Sequence, residues 1–457
     1  MCRNNGLCLS RRATAVFSGR QRSASCSIVS RWLSSSAASE NDDLPTGATE
    51  TSPVSSLYMW GTDSSGSVLQ PPPSQRLQAD KKQTRFDVPM SVDWKAAMNI
   101  NTSAEGKKSN DDGAVKVVKV ICGATDTAWI LSDGRCFVSG ENKQGQLGQG
   151  HKKPIETPVQ VTIQNENGDV VPIRDACLGP NHAAFVDAEM GDLYTCGFGG
   201  STFAGMGALG HGDSEEYLTP TRVESLVEDG CSVAQVQIGE AHMTVLTTEG
   251  EVLTTGAGSY GRLGNFETRD QLYLEPTEVL TPATGITQIA GGKSFTLALA
   301  AAEGVVYGWG RNHKGQLGTG LGLAVDMYAM QAVPEPIEDN ELVGRKVTYI
   351  AAGHSHAACI TAGGELFVWG MSLHLEPVRV HELLHTKIVH VACGQDYTLA
   401  VDEDGKVYSW GKGGTGCLGQ GSVKTANQAA LVESLQDYRV EQISAGWKHA
   451  ACLVKDA

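Results

Sequence analysis

Apolar runs of strand length recur along this chain at nearly even intervals, each closed by a glycine or a short polar turn. The repeating unit opens with an apolar strand ending in glycine, and three residues later there is often a histidine. A second strand, a turn and a third strand lead to a second glycine, followed by a G-x-L-G turn and a strand opening with proline. The first glycines are Gly123, Gly179, Gly239, Gly292, Gly353, Gly394 and Gly446. The residues three places on are Asp126, His182, His242, Phe295, His356, Tyr397 and His449. The second glycines are Gly140, Gly197, Gly256, Gly310, Gly370 and Gly411. Gly446 has none before Ala457, and its counterpart is expected at the other end, in Leu57-Tyr58-Met59-Trp60-Gly61.

The outer strands are placed at Pro158…Val161, Pro220…Val223, Pro276…Val279, Pro334…Ile337 and Pro377…Val380, with Pro89…Val92 in the same slot near the N-terminus. Self-similarity at this period implies one supersecondary unit repeated around an axis. The expectation is all-β: a seven-bladed β-propeller of four-stranded blades. A composite blade, from residues 57–92 and 441–454, closes the ring and removes the free sheet edges. The propeller is assigned to 41–457, with a polar loop inserted at 93–115. Trp60, Trp309, Trp369 and Trp410 share one slot, which suits packing between blades better than ligand binding. The regular slot of His182, His242, His356 and His449 likewise argues for a structural role.

Composition agrees: 54 glycines with 41% hydrophobic and 19% charged residues describe many tight turns rather than a disordered chain. The net charge of −15 hides two unlike parts. Residues 1–39 carry Arg3, Arg11, Arg12, Arg20, Arg22 and Arg31 with no Lys, Asp or Glu, so the remainder is still more acidic. An acidic body without a run of Lys or Arg disfavours direct nucleic-acid binding. The leader is rich in Arg and Ser and lacks the apolar segment of a secretory signal, a composition that fits a mitochondrial or plastid transit peptide. Arg31-Trp32-Leu33-Ser34-Ser35 resembles a matrix-protease site, and the expected address is the mitochondrial matrix, with residues 1–40 as the targeting segment. No stretch reaches the ~18 continuous apolar residues of a membrane span. The nine cysteines beyond the leader form no C-x-x-C pair and read as free thiols.

The combination of G-x-x-H at 353–356, W-G at 309–310 and G-Q-L-G at 315–318 resembles the regulator-of-chromosome-condensation repeat, over roughly residues 56–454. The resemblance implies a seven-bladed propeller with a split closing blade, and it does not by itself imply one function. Mitochondrial relatives in the family are associated with respiratory-chain assembly, with mitoribosome or organellar RNA maturation, and with the inner-membrane fusion GTPase; the nuclear member is the Ran exchange factor. The expected function is therefore an organellar scaffold binding protein partners, without enzymatic activity or cofactor. The alternatives are guanine-nucleotide exchange on a GTPase and, more remotely, a propeller enzyme.

Two departures from the repeat matter. Between Gly197 and Gly207 the spacing is longer than in Gly140–Gly145, and the extra residues lie within Phe198–Met206. The nuclear exchange factor uses an insertion of this general kind as a wedge; here the small residues read as loop drift. Phe198, Gly199, Gly200, Ser201, Thr202, Phe203 and Met206 are nonetheless the candidate partner contacts. The blade containing Gly370 lacks G-x-L-G and reaches Pro377 quickly, which predicts a truncated outer connection.

Three motifs suggest chemistry. His381-Glu382-Leu383-Leu384-His385 spells H-E-x-x-H, but it falls in a short inter-blade connection rather than on the long helix zinc chemistry requires. G-x-G-x-x-G at 205–210, 256–261 and 411–416 falls in one turn slot of a β-repeat, not between a strand and a helix. Gly446-Trp447-Lys448-His449 is similar to the tryptophan-bearing repeats of the plant ultraviolet-B photoreceptor. The equivalent positions elsewhere carry no tryptophan, which argues against photoreception.

Overall fold

A computed structural model describes residues 56–70, 84–100, 115–322, 328–339 and 341–455. The leader and its proposed cleavage site lie outside the described residues. Seven four-stranded antiparallel sheets form the ring. In blades 1 to 6 the first strand in sequence lies innermost, as in blade 1, with Val117–Cys122, Asp126–Leu131, Cys136–Gly140 and Ile155–Val161. Blades 2 to 6 begin at Ile173, Val233, Ile286, Val347 and Ile388. Blade 7 combines Arg439–Ala445 and His449–Lys455 with Ser56–Thr62 and Arg85–Val92. Leu57 pairs with Leu453 and Gly61 with His449, so the two ends of the chain close the ring as one sheet.

In blades 1 to 6 the second strand is buried along its whole length, as in His182–Asp187 and Phe295–Ala300. It lies between neighbouring blades and meets apolar side chains on both faces, which is why these strands read as unbroken apolar runs rather than alternating ones. Inner strands also bond across blades: Gln235 accepts from Ile289 N at 2.9 Å, Gln288 from Ile350 N at 3.0 Å, and Gln442 from Val120 N at 3.2 Å.

The outer strands depart from the sequence reading. They begin before the proline, at Ile155, Tyr217, Met330, His374 and Arg85, and each contains a wide irregularity. In blade 1, Val138 pairs with Val159 and Gly140 with Ile155, so two residues face four; every blade repeats this. Pro158, Pro220, Pro334, Pro377 and Pro89 fall inside the bulge, where a missing N–H leaves no ladder bond unmade. Pro276 does not share this slot: it pairs with Leu253 at the strand end, and Leu274 takes the bulge position in blade 3. Here the sequence reading was out of register by two residues. The polar insertion also begins later than expected. Residues Trp94–Ala97 form a helical turn capped by the Asp93 side chain, burying Trp94 and Met98; residues 101–114 lie outside the described residues.

A single device joins the blades. In six of the seven blades the residue before the second glycine carries a hydrogen-bond donor that reaches a carbonyl in the turn of the preceding blade. Trp60 Nε1 donates to Cys417 O at 2.7 Å, Trp309 to Arg262 O at 3.1 Å and Trp369 to Gln316 O at 3.0 Å. Thr255, Cys196 and Ser139 do the same with smaller side chains, to Gly207 O, Gln146 O and Gly66 O. The last glycine of the turn lies between this donor and the bulge residue. At Gly318 (φ +69°) a Cβ would come within 3.1 Å of Trp369 and 3.2 Å of Pro377, so only glycine allows the approach. Trp410, in the same slot, follows the truncated blade 5 and is only half-buried.

Candidate protein-docking face

Strand order places the loops between first and second strands, and between third and fourth, on one face of the ring. The other connections lie opposite. The opposite face is strongly acidic, with Asp133, Glu189, Glu249, Glu303, Glu403 and Asp404 exposed in its hairpin turns. The first face carries the histidine slots, the hairpin insertion and the cations Arg262, Arg311 and Lys314.

The histidines are built into the ring. His449 Nε2 lies 2.8 Å from Thr127 Oγ1 of the next blade, and Thr127 donates its own hydrogen to Ser67 O at 2.6 Å. The imidazole therefore supplies the proton from Nε2, and its buried Nδ1 presents a lone pair. His356 meets Thr398 at 3.1 Å and His242 meets Thr296 at 3.3 Å in the same way. Tyr397 substitutes by donating to His449 O at 2.8 Å. Except in blade 2, the slot side chain covers the first glycine of its blade: a Cβ on Gly292 would lie 1.9 Å from the Phe295 ring. Burial lowers His182, His356 and His449 to about 4, so they are neutral packing elements. Asp126 takes the slot in blade 1 fully buried, and desolvation raises it to about 7 against the weaker opposing pull of Gln146 and backbone N–H groups.

At the centre, inner strands enclose a cavity of about 350 Å³, with Lys119 and Asp175 paired at 2.6 Å. Its mouth on the histidine face carries the Lys293–Glu240 pair at 3.1 Å and the edge-on contact of His354 with Trp447 at 5.5 Å.

The insertion Phe198–Met206 is an ordered projection, which corrects the expectation of loop drift. Gly200–Ser201 pairs with Gly205–Met206 as a small hairpin. Asp270 ties it to blade 3, accepting from Met206 N at 3.0 Å and from Gly258 N at 2.9 Å. Phe203 stands at the tip, fully exposed, beside exposed Thr202. Gly199 is buried and accepts from Gly207 N at 2.9 Å; Gly200, Ser201 and Met206 are partly covered. Between hairpin and blade 3 lies a second cavity, of about 410 Å³, lined by Phe198, Gly200, Phe203, Asn181, Tyr260 and Arg262 among others. Of the seven candidate contacts, Phe198, Gly200 and Phe203 thus face one space.

Sequence reasoning missed the cations beside it. Arg311 stacks over Tyr260 with its guanidinium carbon 4.2 Å from the ring centroid, and Arg262 lies 5.6 Å from the same ring. Tyr260 has φ 65°, a left-handed conformation uncommon for an aromatic residue. Among the described residues Arg262, Arg311 and Lys314 form no salt bridge. Desolvation, then Arg311 and Lys314, lowers His313 to about 4. The signal was faint: Arg262 is the variable residue of a G-x-L-G turn, and Arg311 simply follows a second glycine.

The RCC1-like domain pattern matches residues 56–452, spanning all seven blades. The chain belongs to the RCC1-like domain family. Similar proteins include the E3 ubiquitin-protein ligase HERC2 of Homo sapiens, 33% identical over 258 residues, which are 56% of this chain and 5% of that protein. The Secretion-regulating guanine nucleotide exchange factor of Bos taurus is 33% identical over 239 residues, 52% of this chain and 48% of its own. This RCC1-like chain thus spans half or less of the length of these two relatives. Among solved structures, Prp20p of Saccharomyces cerevisiae, studied for its binding to Gsp1p and histones, superposes with a TM-score of 0.68 at 18% identity, covering 89% of this chain and 93% of that one. At that identity the likeness speaks for the fold.

Proposed function

We propose that this RCC1-like propeller is a protein-docking scaffold of the mitochondrial matrix, which receives a partner in organellar assembly or maintenance on its histidine face. The observation that carries the reading is Phe203, fully exposed at the tip of an anchored hairpin, beside a cavity and unpaired arginines. An aromatic anchor flanked by arginine is the composition of an interface centre. The Arg-rich, acid-free leader supports the address.

Affinity purification from mitochondria should recover a partner with the wild-type chain. Phe203→Ala should lower that recovery at least tenfold with an unchanged melting temperature, because the side chain touches little of its own fold. Unchanged recovery removes the hairpin from the reading. Residues 1–40 fused to a fluorescent protein should reach mitochondria, and neutral replacements of the six arginines should leave the fusion cytosolic; nuclear accumulation of the full chain overturns the address.

The hairpin also favours a second reading, guanine-nucleotide exchange, which the bovine relative's name carries. An exchange factor binds its GTPase more tightly without nucleotide, since linkage then weakens the nucleotide. Release of a fluorescent GDP analogue from a recovered GTPase, accelerated by catalytic amounts of the propeller, decides for exchange. Stable complexes without acceleration decide for the scaffold.

A further inference from the structure

The junction between blades 5 and 6 lacks the clasp that joins the other blades. Gly370 is followed by Met371, Ser372 and Leu373, and the outer strand then starts at His374. Met371 and Ser372 hold left-handed φ of 55° and 60°, and Leu373 is 73% exposed. The missing turn leaves marks on both sides. In blade 4 the turn leucine, Leu317, stands above Gly308, two residues before the second glycine, where a Cβ on Gly308 would meet it at 3.5 Å. The equivalent Val368 has no leucine above it and is partly exposed, whereas Val138, Thr195, Thr254 and Ser409 in other blades are fully buried. Across the junction, Trp410 is half-buried where Trp60, Trp309 and Trp369 are covered, and it has no turn carbonyl before it. The bulge position that elsewhere holds proline or leucine against the turn carries Ala429.

We propose that this junction, where the turn is missing and Val368 and Trp410 are partly uncovered, is a docking slot for a leucine-bearing turn of a partner protein. The turn supplies from outside the contact that G-x-L-G turns supply within the chain. Its leucine enters over Val368, a backbone carbonyl accepts the Trp410 Nε1–H, and the small Ala429 leaves room for it. Occupied counterparts around the same ring specify the chemistry of the occupant: an apolar branched side chain, an adjacent acceptor and a tight backbone. The slot lies on different blades from the hairpin, so it is a second contact and stands apart from the proposed role of Phe203.

The test uses the full chain labelled with ¹⁵N at tryptophan, the Trp410 indole resonance being assigned with Trp410→Phe. The probe is a backbone-cyclised peptide of the chain's own Asn312–Thr319 turn. The expected result is a saturable shift of the Trp410 indole resonance. A probe carrying Leu317→Ala should bind about tenfold more weakly, as loss of a buried leucine requires. Ala429→Leu, which fills the slot from within, should abolish the shift while leaving the chain folded. The Phe203→Ala chain should bind the probe as the wild type does, which separates this slot from the hairpin. No Trp410 shift at millimolar probe, or equal binding of the alanine probe, overturns the proposal. A Trp410 shift that follows protein concentration without probe also overturns it, by making a second copy of this chain the occupant.

Discussion

Asp126 shows how one residue can bend the pH profile of the whole ring. Six blades fill the same slot with histidine, phenylalanine or tyrosine, while blade 1 buries a carboxyl group with no opposing cation in contact with it among the described residues. Burial raises it from 3.8 to about 7. The folded chain therefore binds the proton more tightly than the unfolded chain. That stability is complete below about pH 4 and is lost as pH rises through 7. Asp126→Asn should raise the melting temperature at pH 8 by a few degrees, on the order of 2–4 kcal/mol, with the gain vanishing near pH 4. Thermal melts of the two chains across that range check it. The histidines act in the opposite sense. Lowered from 6.5 to about 4, His182, His356 and His449 contribute stability present above 6.5 and lost as pH falls through 4. Their glycine-to-histidine spacing was legible in the sequence. The ionisation of Asp126 was not, because an exposed aspartate and a buried one are spelled alike.

At the scale of elements, the inter-blade clasp ranks the four tryptophans that look equivalent in the sequence. Trp309→Phe removes the donor to Arg262 O and leaves that carbonyl in a dry junction, a cost of about 1–3 kcal/mol. Trp410→Phe breaks no such bond and should cost clearly less. Denaturant melts of the two variants side by side test the ranking, and equal losses would mean that ring packing rather than the hydrogen bond holds the junction. The slot explains its own substitutions: serine, threonine and cysteine share with tryptophan a donor rather than a shape. Sequence periodicity located the slot, but the register of blade 3 went astray at Pro276, because proline tolerates both the bulge and the strand end.

For the molecule as a whole, closure is the decisive event. Ser56–Thr62 lies between its partner Arg85–Val92 and the C-terminal strand His449–Lys455, so blade 7 joins residues nearly four hundred positions apart. Such a contact is entropically slow to form but seals every sheet face in the ring. Removing residues 443–457 should leave the N-terminal strands without a sheet and bare the edge of blade 1. Loss of a single cooperative unfolding transition, with aggregation, is the expected outcome; a truncated chain that melts like the intact one would refute the shared blade. The two faces also differ in charge, acidic hairpin turns on one and the Arg262–Arg311 group on the other, which gives the ring a polarity for docking.

Strand periodicity and the spacing of paired glycines determined the architecture by themselves, down to the split blade, because each repeat must meet the same packing demand and so repeats its residues. The places where function is proposed follow the opposite logic. Phe198–Met206 was visible only as extra length; that it stands as a hairpin depends on Asp270, sixty-four residues beyond Met206, accepting its backbone. Arg311 and Tyr260 come from neighbouring blades and meet only when blades 3 and 4 pack together. The truncated connection after Gly370 was visible, yet its consequence for Trp410 appears only across a junction between blades. Local rules recur and can be read from one copy of the unit, whereas contacts between copies are set by the geometry that stacks them.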